Sequence, residues 1–204
     1  MFFILFLRLA TVSVRIIIFV LFFFMGTYIC AQGDWKAKHK IGFSYNYGSQ
    51  ALLSLDYHYQ AHLIYIEYYR KLVAKKGWGI DLMLQPQFGT SEFFTMADSV
   101  NSVMGQEIGI NGGILIHKNI INDVLYLYCK LGAGPHFVSG VPDRQRDGFI
   151  FADNAIAGLM VRYKKDGYAY FGMGIRHISN AKLTSPNGGI NTAMFQAGWI
   201  FMVE

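Results

Sequence analysis

A histidine and a serine stand two residues apart at the head of His177-Ile178-Ser179-Asn180-Ala181-Lys182-Leu183-Thr184-Ser185-Pro186-Asn187-Gly188-Gly189-Ile190-Asn191. They close an alternating segment. In a β-strand, residues i and i+2 share a face. A general base and a hydroxyl nucleophile would therefore lie side by side, with a loop rich in Pro, Asn and Gly just beyond them.

The elements that must carry this pair follow from composition and period. The chain has 204 residues, 53% hydrophobic, 16% aromatic and only 15% charged, with 22 glycines. Beyond the N-terminus no apolar run is long enough for a membrane helix, which needs roughly 18 residues or more. High apolar content in short alternating runs points to a β-barrel in an outer membrane. Residues 80–88 put Ile80, Leu82, Leu84, Pro86 and Phe88 on one face and Asp81, Met83, Gln85 and Gln87 on the other. Residues 107–117 repeat the pattern. Carried along the chain, it predicts eight antiparallel strands near 40–48, 60–72, 78–89, 106–117, 123–137, 149–163, 167–179 and 191–203. Eight is a small barrel whose interior side chains fill, which argues against a porin. Links at 73–77, 118–122 and 164–166 are short. Those at 90–105, 138–148 and 180–190 are longer and would be external.

Residues 1–31 read as a signal peptide, with Arg8 and Arg15 before an apolar core at 16–25 and a cleavage site after Ala31; the long, apolar n-region leaves an anchoring helix as the alternative. Tyr28 and Ile29 are poor neighbours for a lipidated Cys30. Residues 32–204 would form one barrel domain. Without the signal the net charge falls from +5 to +3, too little to argue for a nucleic-acid partner. Cys129 is then the remaining cysteine, so no internal disulfide can form. His39, His58, His62, His117 and His136 make no metal-ligand pattern, and Gly132-Ala133-Gly134 lacks the sequence of a nucleotide loop. Neither a metal nor another cofactor is called for.

Face parity places the pair. In 167–179 the odd positions carry Ala169, Phe171, Met173, Ile175, His177 and Ser179, the apolar and hence lipid-facing set. In 191–203 the odd positions run from Asn191 to Val203, again the apolar set. His177, Ser179 and Asn191 are polar exceptions at the external ends of lipid-facing stripes. Polar groups there need a partner or a place in the headgroup zone. Asp153 is a fourth exception on the odd face of 149–163. If 164–166 is a three-residue turn, Tyr163 pairs with Gly167 and Asp153 lies opposite His177. A looser turn puts it opposite Ser179. The alternative is that Asp153 pairs with Arg144 or Arg146.

The segment 177–191 resembles the active-site region of PagL-type lipid A 3-O-deacylases, also described as acyloxyacyl hydrolase-like. The resemblance rests on the His-x-Ser-Asn-Ala opening and the Pro-Asn-x-Gly-Ile run. It implies an eight-stranded outer-membrane barrel that hydrolyses an ester-linked acyl chain of lipid A, the lipid anchor of lipopolysaccharide. Ser179 would be the nucleophile, His177 its base and Asn180 part of the oxyanion hole. Arg144, Arg146 and Lys182, in expected external loops, could meet lipid A phosphates. The family pattern has a glutamate after Gly-Ile; here Asn191 stands there. Three readings follow: Asn191 suffices at a slow rate, Asp153 supplies the charge from the next strand, or activity has been lost. The rival class is a non-catalytic small barrel with a structural or adhesion role.

Overall fold

The computed structural model describes residues 37–53, 55–95 and 101–203. The expected signal peptide lies outside these. Eight antiparallel strands close into a barrel: β1 His39–Ser49, β2 Tyr59–Lys75, β3 Trp78–Phe93, β4 Val103–Ile121, β5 Leu125–Val138, β6 Gly148–Lys164, β7 Gly167–Ser179 and β8 Ile190–Val203. Each strand pairs with its sequence neighbours, and β1 pairs with β8. A short 3-10 turn, Ala51–Leu53, follows β1.

Alternation decides which face each side chain takes. Outward positions are apolar and exposed, as at Ile108 (65%), Ile175 (60%) and Phe137 (57%). Exposing such a belt to water would be unfavourable by about 25 cal/mol per Å², so the belt marks the lipid-facing wall of a membrane barrel. Inward positions mix aliphatic residues such as Leu63, Leu115 and Ile150 with polar and aromatic ones, many of which bond to one another. Glu67 accepts from Lys130 Nζ at 2.9 and 3.1 Å, from the Tyr69 and Tyr170 hydroxyls at 2.6 Å each, and from Gln85 Nε2 at 2.8 Å. Lys40 Nζ donates to Asp81 at 2.7 Å. Glu107 accepts from Arg176 and lies 2.6 Å from His136 Nδ1. These side chains fill the interior, as eight strands require.

The β2–β3 hairpin turns on Lys76 and Gly77, both at positive φ (51° and 77°). That is the geometry a two-residue hairpin loop needs, because it matches the strand twist. Bulges interrupt β2–β3 between Lys71 and Val73, β4–β5 between Asn119 and Ile121, and β6–β7 between Arg162 and Lys164. All three sit beside the short turns. The third corrects an expectation: Lys164, not Tyr163, pairs with Gly167, across a two-residue turn. The bulge at Tyr163 then absorbs the extra residue and restores the register that sets Asp153 opposite His177.

Candidate active site

His177 and Ser179 close β7, both half-buried on its outer face. At about 3.3 Å per residue their Cα atoms stand about 6.6 Å apart along the strand. His177 lies opposite Asp153 on β6 and opposite Asn191 on β8, so it has an outward-facing neighbour on each side. Ser179 lies opposite Phe151.

The imidazole leans toward one neighbour. His177 Nδ1 is 2.8 Å from Asn191 Oδ1. Backbone pairing explains the choice. The Asn191 N–H and C=O both turn away from β7, toward the Tyr57 hydroxyl, at 2.7 and 3.1 Å. His177 and Asn191 are therefore a non-hydrogen-bonded pair, in which side chains approach most closely, with Cα atoms about 4.5 Å apart. His177 then shares its own backbone bonds with β6, and the wider spacing of about 5.5 Å separates it from Asp153. Asp153 remains exposed beside the histidine. The alternative partners expected for it are engaged elsewhere: Arg144 with Asp56 at 3.3 Å and Arg146 with Asp147 at 3.5 Å.

The loop 180–189 is held by its own polar side chains. Buried Asn180 donates through Nδ2 to the Thr184 carbonyl (2.9 Å) and hydroxyl (2.8 Å) and to the Pro186 carbonyl (3.4 Å). Its Oδ1 accepts from the Lys182 N–H at 3.1 Å, and its own N–H donates to Asn187 Oδ1 at 3.0 Å. The Asn180 amide thus builds the turn. Ala181 and Lys182 follow at φ 53° and 64°, and Lys182 is exposed. Gly189, at φ 64°, comes so close to the imidazole that an added Cβ would meet His177 Cε1 at 2.7 Å. Only glycine fits both the backbone and the ring.

Neighbouring loops lace this one in place. Gly188 N–H donates to the Arg144 carbonyl at 2.7 Å, and Arg146 N–H to the Pro186 carbonyl at 2.9 Å. Gln145 Oε1 accepts from Gly189 N–H at 3.2 Å. Arg144 Nη2 donates to the Gly188 carbonyl at 2.9 Å, with its guanidinium 4.5 Å from the Tyr57 ring centre. Sequence reasoning missed Tyr57 and Gln145. Neither lies in an alternating stripe, and loop contacts leave no period to read. Among the described residues no group of three or more His, Cys, Asp or Glu is arranged to hold a metal.

A closed lipid-facing barrel with a His/Ser/Asn cluster on the outside of its wall defines the class: a small membrane barrel with polar side chains gathered on its outer face. The sequence model of the lipid A 3-O-deacylase (PagL) family matches residues 59–199, and the chain belongs to that family. The crystal structure of the outer membrane enzyme PagL is similar in fold, with a TM-score of 0.61 at 15% identity, over 79% of this chain and 99% of that one. Neisserial surface protein A (12% identity, 81% and 96% covered, TM-score 0.45) is more distant. So is the outer membrane protein OprG of Pseudomonas aeruginosa (9%, 84% and 98%, 0.46). No curated protein sequence matches the chain.

Proposed function

We propose that this chain is an outer-membrane esterase that removes an ester-linked acyl chain from lipid A, working at the level of the outer leaflet. The observation that carries the reading is the 2.8 Å contact between His177 Nδ1 and Asn191 Oδ1. An amide oxygen there accepts a hydrogen bond from Nδ1–H, which keeps the proton on Nδ1 and leaves Nε2 as the basic nitrogen. Ser179, two residues on and on the same face of β7, is the hydroxyl this reading assigns to that base.

The reaction runs in two halves. Ser179 Oγ bonds to the acyl carbonyl carbon as its proton passes to His177 Nε2. The tetrahedral oxyanion collapses, the ester C–O bond breaks, and the departing sugar oxygen takes the proton from His177. Water then attacks the acyl-serine with His177 again as base, and the free fatty acid leaves. Asn180 shapes the turn after Ser179. Ala181 and Lys182, at consecutive positive φ, complete that turn, and the Lys182 and Leu183 N–H groups are bound to Asn180 within it. Lys182 is an exposed cation at the rim, suited to lipid A phosphates, and Arg146 is exposed there beside Asp147; Arg144 is committed to holding loops together.

Asn191 orients the imidazole but lends it no charge, so turnover is slow. Asp153, one strand away, contributes a screened negative charge without a direct bond. The test is expression in a Gram-negative host with mass spectrometry of lipid A. Loss of one acyl chain, abolished by Ser179→Ala or His177→Ala, is expected. Unchanged lipid A around a folded barrel would overturn the reading and leave a non-catalytic barrel of structural or adhesion role.

A further inference from the structure

The end of β8 poses a problem of backbone pairing. Asn191 is the second residue of the strand, and its N–H and C=O point toward β1. The β1–β8 ladder stops at the Ser49–Ala193 pair, because the chain turns away into Ala51–Leu53. Asn191 therefore has no strand partner on that side. The Tyr57 hydroxyl, returning from the loop before β2, fills the vacancy. It accepts from the Asn191 N–H at 2.7 Å and donates to the Asn191 carbonyl at 3.1 Å.

We propose that Tyr57 is a positioning residue of this site: its hydroxyl stands in for a missing β1 residue and thereby fixes the Asn191 side chain that orients His177. The proposal rests on the hydrolase reading for its kinetic consequence, but not for its structural one. Three observations support it. One hydroxyl takes both backbone groups of a single residue, the pattern of a ladder pair rather than of a chance contact. Tyr57 is itself held, with the Arg144 guanidinium over its ring at 4.5 Å and Arg144 bound to Asp56 at 3.3 Å and to the Gly188 carbonyl at 2.9 Å. Gly188 precedes Gly189, which abuts the imidazole. The same latch thus reaches His177 from two directions, through Asn191 and through Gly189. Finally, Tyr57 lies before residue 59, where the family match begins, so the matched segment by itself assigns it no role.

There is a physical reason for such a device here. A carboxylate attracts an imidazolium over distance and tolerates a loose strand end. A neutral amide works only through a short, aligned hydrogen bond. With Asn191 as the acceptor, misplacement of the strand end costs orientation directly.

Tyr57→Phe keeps the ring under Arg144 and removes only the hydroxyl. Assayed on purified lipid A in mixed micelles, it should lower kcat by about tenfold, the scale of one well-placed hydrogen bond. KM should stay within about twofold, because no substrate contact is touched. In an Asn191→Ala background the same change should add nothing, since Tyr57 acts through Asn191. Independent, additive losses would overturn the proposal. A second measurement needs no turnover: nitrogen NMR of histidine-labelled protein in micelles. His177 should be mainly the Nδ1–H tautomer in the parent and a mixture in Tyr57→Phe; an unchanged tautomer would also overturn it. If Ser179→Ala leaves turnover intact, the hydrolase reading fails, and the NMR arm still decides the role of Tyr57.

Discussion

His177 has a carboxylate on one side and an amide on the other, and it bonds to the amide. The cause is strand pairing: a close pair with Asn191, a wide pair with Asp153. Asn191→Glu keeps the position and adds the charge that the imidazolium lacks. It should raise kcat on the order of tenfold to a hundredfold, within the roughly 10⁴ that a buried acid provides in serine proteases. Steady-state assay of deacylation checks this; an unchanged rate would mean the imidazolium is already compensated, with Asp153 the remaining source of charge. Gly189→Ala forces a side chain onto a positive-φ backbone and into His177 Cε1. A fall in kcat/KM of about tenfold or more is expected while the barrel still folds. At this scale the sequence was partly legible. The i, i+2 spacing set His177 and Ser179 on one face, and parity added Asp153 and Asn191. Which neighbour the imidazole prefers depends on alternation between close and wide pairs, and a one-dimensional pattern does not carry that. The use of the Asn180 amide inside its own loop was equally hidden.

The strands show where pattern reading succeeds and where it slips. All eight were legible because lipid on one side and a packed interior on the other impose the same period from end to end. The expected β4, 106–117, is in fact Val103–Ile121, and β2 reaches Lys75 instead of residue 72. Periodicity weakens near the turns, where both faces meet water or headgroups. The β6–β7 hairpin reached the expected register by an unexpected route, a tighter turn offset by a bulge. Bulges obey local twist and leave no mark in hydropathy. One element-scale prediction concerns the β2–β3 turn. Lys76 holds φ 51° before Gly77, the place where asparagine is favoured in a two-residue hairpin. Lys76→Asn should stabilise the barrel by about 0.5–1 kcal/mol, visible as a higher urea midpoint for unfolding from lipid vesicles.

Across the whole molecule, stability is lodged in the interior. Glu67 gathers an ammonium, two tyrosine hydroxyls and an amide around one carboxylate. Removing one partner of such a network leaves a buried charge unmatched. Glu67→Ala, which strands Lys130, should cost about 3–5 kcal/mol. Heat-modifiable mobility on gels would report it as a fall in the melting temperature. On the outside the same wall bears the candidate site.

The filled interior has a consequence for kinetics. On the proposed esterase reading no route through the barrel axis is needed, because a membrane lipid would reach Ser179 by sliding along the leaflet. Encounter is then a two-dimensional process, and the concentration that matters is molecules per unit area. Diluting lipid A with an inert phospholipid at constant bulk amount should slow the reaction in proportion to its surface mole fraction. Adding more vesicles of unchanged composition should leave the turnover of each embedded barrel unchanged.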